Sequence, residues 1–202
     1  MAIAINGTGT VTGISVGGLP DGIVDTDTLA ADAVTVAKAA DSVKGIQEFD
    51  QWYLTTNKTS NGTLTAWARS VDTWPGSAAQ IGTGMSLASD TWTFPSTGKW
   101  LVIFQGFYNC HDNDNVGVEI KVTTNNSSYA VNTIAMDGLN DASGGTKTAN
   151  ATCWSFLDVT STTNVKVKLE ATSIATSSTV RGTTSSSDGI FTNVMFMRLG
   201  GT

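Results

Sequence analysis

Asp90-Thr91-Trp92-Thr93-Phe94-Pro95-Ser96-Thr97-Gly98-Lys99-Trp100-Leu101-Val102-Ile103-Phe104 is the stretch on which the fold turns. Trp92 and Phe94 alternate with Thr91 and Thr93, the period of a half-buried strand, and Pro95 to Gly98 supplies a turn. The run from Gly98 to Tyr108 is then apolar on both faces, so its strand must be covered on two sides. A strand of this kind belongs inside a sandwich of two sheets.

The pattern continues on either side. Val116, Val118, Ile120 and Val122 alternate with Gly117, Glu119 and Lys121, and Val165, Val167 and Leu169 alternate with Lys166, Lys168 and Glu170. These are half-buried antiparallel strands. Gln51–Thr56, Thr63–Arg69, Thr91–Phe94, Tyr129–Met136 and Ala151–Val159 read as further strands. About eight to ten short strands predict an all-β, antiparallel jelly-roll sandwich over residues 49–202. Phe191 to Met197 is also apolar on both faces, with no later element to cover it. We therefore expect Phe191, Val194, Phe196 and Leu199 to lie at a contact between subunits.

Residues 1–48 differ in kind. Every Trp, Tyr and Phe lies between Phe49 and Phe196, and aromatic residues dominate core burial, so a boundary falls near 48. Short extended pieces around Ile5 and Val11 are separated by glycines and followed by the turn Gly17-Gly18-Leu19-Pro20-Asp21-Gly22. Thr26 or Thr28 can cap a helix carrying Leu29, Ala33, Val36, Ala40 and Val43 on one narrow stripe, with Gly45 at its end. So little apolar surface predicts a short extended and helical stalk that orders only when copies pack together.

The segment Asp90 to Phe104 resembles the corresponding hairpin of the trimeric jelly-roll heads typified by tumour necrosis factor and the complement heads. The ending Phe196-Met197-Arg198-Leu199-Gly200 is similar to that of short virion proteins of tailed bacteriophages carrying such a head. Ile5-Asn6-Gly7-Thr8-Gly9-Thr10, Gly17 to Gly22 and Leu29 to Thr35 resemble stalk segments of phage fibres, including those of cyanophages. The resemblance implies a homotrimeric virion protein displayed on the particle and assembled in the host cytoplasm.

Composition narrows the partners. Charged residues make up 14% of the chain and the net charge is -6, with Lys and Arg totalling 11 and scattered. Nucleic-acid binding needs clustered cations, so a DNA or RNA partner is not expected. No apolar run approaches the ~18 residues that span a bilayer, and the N-terminus has neither a basic nor a long apolar region, so membrane insertion is not expected either. Cys110 and Cys153 lack metal-site spacing and read as free buried thiols.

Catalytic patterns are poor. Gly13-Ile14-Ser15-Val16-Gly17 has the spacing of a nucleophile elbow, but it lies in the stalk and the only histidine is His111. Asp112-Asn113-Asp114 and Asp137-Gly138-Leu139-Asn140-Asp141 place hard oxygen ligands close together, yet Asx-rich turns are normal between strands. No cofactor or metal is expected. The Ser/Thr/Gly-rich stretch Ser173 to Gly189 either contacts a partner or shields a sheet edge; Thr176, Arg181, Thr184 and Asp188 are its candidate contact residues. Trp67, Trp74 and Trp92 can line a sugar-stacking ledge or fill the core, and the core is the commoner fate.

The sequence thus predicts a non-enzymatic, trimeric short fibre, attached to other virion proteins through residues 1–48 and binding a host surface glycan with its head. The alternative is a capsid decoration or cement protein, which the shortness of the segment before the head favours.

Overall fold

A computed structural model describes residues 45–70, 80–111, 114–139, 146–175, 178–185 and 189–202. The stalk and helix expected from the sequence lie outside these residues, as do Ser15, Trp74, Thr176 and Asp188. The described residues contain strands and no helix.

In chain order the strands are β1 (Glu48–Leu54), β2 (Gly62–Thr63), β3 (Trp67–Arg69), β4 (Gln80–Ile81), β5 (Ser86–Ala88), β6 (Thr91–Thr93), β7 (Gly98–His111), β8 (Asp114–Thr123), β9 (Ala130–Leu139), β10 (Thr146–Val159), β11 (Lys166–Thr172), β12 (Thr179–Val180) and β13 (Asn193–Gly200). They form two antiparallel sheets. One runs β10-β7-β13-β1-β3, with β12 added to β7 and β4 to β1. The other runs β5-β6-β11-β8-β9, with β2 added to β11. Neighbours distant in sequence, such as β1 beside β13 and β11 beside β6, make this the expected jelly roll.

Alternation decides which side chains are inside. From β7 come Trp100, Val102, Phe104, Tyr108 and Cys110, and from β8 and β11 come Val116, Val118, Ile120, Val167 and Leu169. Gly106 stands in the same inward row because it must; a Cβ there would lie 2.5 Å from Val118 Cγ1 and 2.9 Å from the Tyr108 ring. An aromatic cluster fills the middle. Trp92 meets Trp67 edge to face at 5.2 Å between centroids and Phe196 at 5.9 Å, while Phe94 lies 5.1 Å from Trp100. Trp67 and Trp92 are therefore core residues and form no ledge.

The last strand departs from expectation. Val194 and Phe196 are wholly buried in the core of their own chain, so they cannot reach a neighbouring subunit. The physical reason is the period of two: residues on alternate positions, Met195 and Met197, occupy the opposite face and keep partial exposure. Thr63–Arg69 also differs, splitting into β2 and β3 around Ala66, whose φ of 62° interrupts a ladder.

Candidate functional site

The outward face of the β10-β7-β13-β1 sheet is where surface and chemistry are unbalanced. Paired residues in an antiparallel ladder point to one side, so the register can be read as rows. Phe49, Met197, Leu101 and Phe156 form one row. Gln51, Met195, Ile103 and Trp154 form the next. Tyr53, Asn193, Gln105 and Thr152 follow, so the face grades from apolar to polar along the strands. Trp154 is 64% exposed and Phe156 59%, far from the usual fate of such side chains.

The apolar surface continues around the sheet edge. Strands β9 and β10 are edges of different sheets and meet through the Thr133 and Ser155 hydroxyls, 2.8 Å apart. On the outer side of β9, Ile134 and Met136 are about half exposed. A groove of about 300 Å³ runs between the two edges, lined by Thr133, Ile134, Thr152, Cys153 and Trp154. The sandwich thus ends in a wedge that is apolar on both flanks.

At the polar end of the same sheet sits the stretch singled out in the sequence. It is tied down along much of its length. Asn61 Oδ1 accepts from Ile174 N at 2.7 Å, Asn57 Oδ1 from Gly182 N at 2.9 Å, and the Asp114 carboxylate from Ala175 N. Lys58 and Val180 bridge their backbones, and β12 lies along β7 where β13 has not yet begun. The segment therefore does shield a sheet edge. Arg181 follows directly, its N donating to Phe107 O at 2.8 Å. Its guanidinium carbon lies 3.8 Å from the Phe191 ring centroid and 5.9 Å from that of Phe107. The two rings are 5.1 Å apart. Thr184 is exposed nearby.

Titratable groups inside the sandwich are set up for burial. Burial, helped by the Asp114 charge, pushes the Cys110 thiol up to about 11, and burial raises Cys153 too. Tyr108 is likewise raised by burial, and its hydroxyl donates to Gly117 O. Both cysteines are free. Among the described residues, no three His, Cys, Asp or Glu side chains converge as a metal site would require. Asp114 and Asp137 instead bind backbone: Asp137 accepts from Gly138 N and Asn150 N, both at 2.9 Å.

Of the residues the sequence assigned to a subunit contact, Leu199 is 52% exposed and Phe191 is partly buried, while Val194 and Phe196 are interior. Trp154 and Phe156 were missed. Their signal was present: the stretch from Cys153 to Leu157 is apolar on both strand faces, like Gly98 to Tyr108.

No family model and no curated protein sequence matches the chain. Its fold is nonetheless similar to that of solved structures. Eiger TNF from S. frugiperda is 11% identical, with a TM-score of 0.58, over 79% of this chain and 96% of that one. Murine APRIL at pH 5.0 is 8% identical, with a TM-score of 0.54, over 75% of this chain and 98% of that one. At such identities the likeness is one of fold alone: the chain folds as a jelly roll similar to those two structures.

Proposed function

We propose that the chain is a non-enzymatic structural head that assembles as a homotrimer and is displayed on a phage particle to bind the host surface. The observation that carries the trimer is the apolar sheet face from Phe49 and Met197 through Leu101 and Ile103 to Trp154 and Phe156. Apolar surface of this extent on a folded unit marks an interaction site. A face and a wedge are different surfaces, so the contact they favour is head-to-tail, the β9–β10 edge of one copy against the sheet face of the next. Such a contact closes into a ring when the rotation allows it, and the fold likeness favours a ring of three.

The virion setting rests on the resemblance of residues 5–35 to fibre stalks and of the C-terminal segment to short virion proteins. In this reading residues 1–48 join the head to other virion proteins, and three heads turn weak contacts with host glycans into avidity. Sedimentation equilibrium of the full chain tests the assembly. A mass three times the 21.0 kDa of one chain is expected, and a monomer would remove the reading. Incubating the trimer with host cells and with emptied capsids separates a host-binding fibre from a capsid decoration protein. Binding to cells is expected; binding to capsids alone would favour decoration.

A further inference from the structure

The three arginines are engaged very differently. Arg69 is committed to Asp50 and to Met85 O, and Arg198 donates from Nε to Thr97 O. Arg181 is held by its backbone bond and by the faces of Phe191 and Phe107, and among the described residues its guanidinium makes no hydrogen bond or ion pair. A guanidinium laid 3.8 Å from one ring keeps its planar fork of donors at the rim of the stack, free for a ligand.

The support beneath this fork is rigid. Val180 is wholly buried, Gly182 N is held by Asn57, and Thr183 Oγ1 accepts from Phe191 N while donating to Gly189 O. The bonds to Thr183 fix Phe191, and those to β7 and Asn57 fix the chain on either side of Arg181. Ligand binding here need not order the arginine first, which removes one of the usual costs of association. The site lies at the opposite end of the sheet from Glu48 and Gly200.

We infer that Arg181, stacked on Phe191 and Phe107, is a binding site for the carboxylate of an acidic saccharide, of the uronic or sialic acid class. A carboxylate matches the guanidinium fork with two parallel bonds, which a neutral sugar cannot do. The ring edges offer apolar contact to a sugar's C–H face, and Thr184, three residues along the chain from Arg181, is exposed as a hydroxyl partner. The inference rests on the reading of the head as a host-surface binder and gives that reading a place and a ligand class.

The test is titration of the full chain with glucuronate and with N-acetylneuraminate, followed by ligand-observed NMR, with the methyl esters of both as controls. Binding of at least one acid is expected, weakened about tenfold or more in its ester and in Arg181→Gln, with Arg181→Lys failing to restore it because an ammonium has no fork. The esters probe the carboxylate without any variant, so a misfolded Arg181→Gln would not rescue the claim. No binding of either acid at ~50 mM, or equal binding of acid and ester, overturns the site. If neutral host glycans still bind, the host-surface reading survives that failure. A change in sedimentation mass in Arg181→Gln overturns the site differently: the guanidinium's partner would then be a second copy of the chain.

Discussion

Arg69 grips the buried carboxylate of Asp50 through two bonds, Nε to Oδ1 at 2.9 Å and Nη2 to Oδ2 at 3.1 Å. Asp50 Oδ2 also accepts from Trp52 Nε1 at 2.8 Å and from Met85 N at 2.6 Å. The guanidinium in turn donates to Met85 O and stacks 4.7 Å from the Trp52 ring centroid. One carboxylate therefore joins β1, β3 and the segment before β5 at the sheet's end.

Removing the arginine leaves a buried charge with its principal partner gone. Arg69→Met is expected to lower stability by about 3 kcal/mol, and Arg69→Lys by less, since it keeps the charge but loses the fork. Urea unfolding measures both. A loss below about 1 kcal/mol for Arg69→Met would mean that the Trp52 and Met85 donors hold the carboxylate unaided.

The sheet face and the core make opposite predictions from neighbouring residues. Trp154→Asp alters a side chain 64% exposed in the single chain, so the subunit should fold while the proposed trimer falls to monomer. Val194→Asp places a charge in the core and should unfold the subunit itself. Circular dichroism and sedimentation together read the contrast. A Trp154→Asp protein that remains trimeric would move the subunit contact elsewhere.

How far the sequence carried the fold can be judged strand by strand. Period two in Val116 to Val122 and Val165 to Leu169 was enough for β8 and β11, because each has one polar face. It was not enough for β13. A strand apolar on both faces announces that two surfaces will be covered but not which face meets which neighbour, so Val194 and Phe196 were assigned to the wrong side. Arg181 was visible as the lone cation in a polar loop, whereas its stack on Phe191 and Phe107 depends on β12 being laid along β7 by Asn57 and Lys58, contacts more than 120 residues apart in sequence.

Gly106 offers a packing test. Gly106→Ala adds one methyl where Val118 Cγ1 already stands 2.5 Å from the new Cβ, with the Tyr108 ring on the other side. Both neighbours belong to the sandwich interior and have little room to shift. The expected loss is about 1–3 kcal/mol in chemical denaturation. An unchanged midpoint would mean that the two sheets can separate locally at no cost.

The buried thiol makes stability fall in alkali. Burial first, and then the Asp114 charge, raises Cys110 from 9.0 to about 11 in the folded chain, so the native state holds this proton more tightly than the unfolded state does. The stabilising difference is present in full below the unfolded value of about 9.0 and is lost as pH rises from there towards 11. Cys110→Ala, which removes the titrating group, should flatten the decline in stability between about pH 9 and 10.5 relative to the parent chain. Urea midpoints across that interval measure the slope, with a residual decline expected from Cys153 and Tyr108, which burial also raises. Identical slopes in the two proteins would mean that Cys110 ionises in the folded chain as readily as in the unfolded one, through opening of the β7–β10 edge to water.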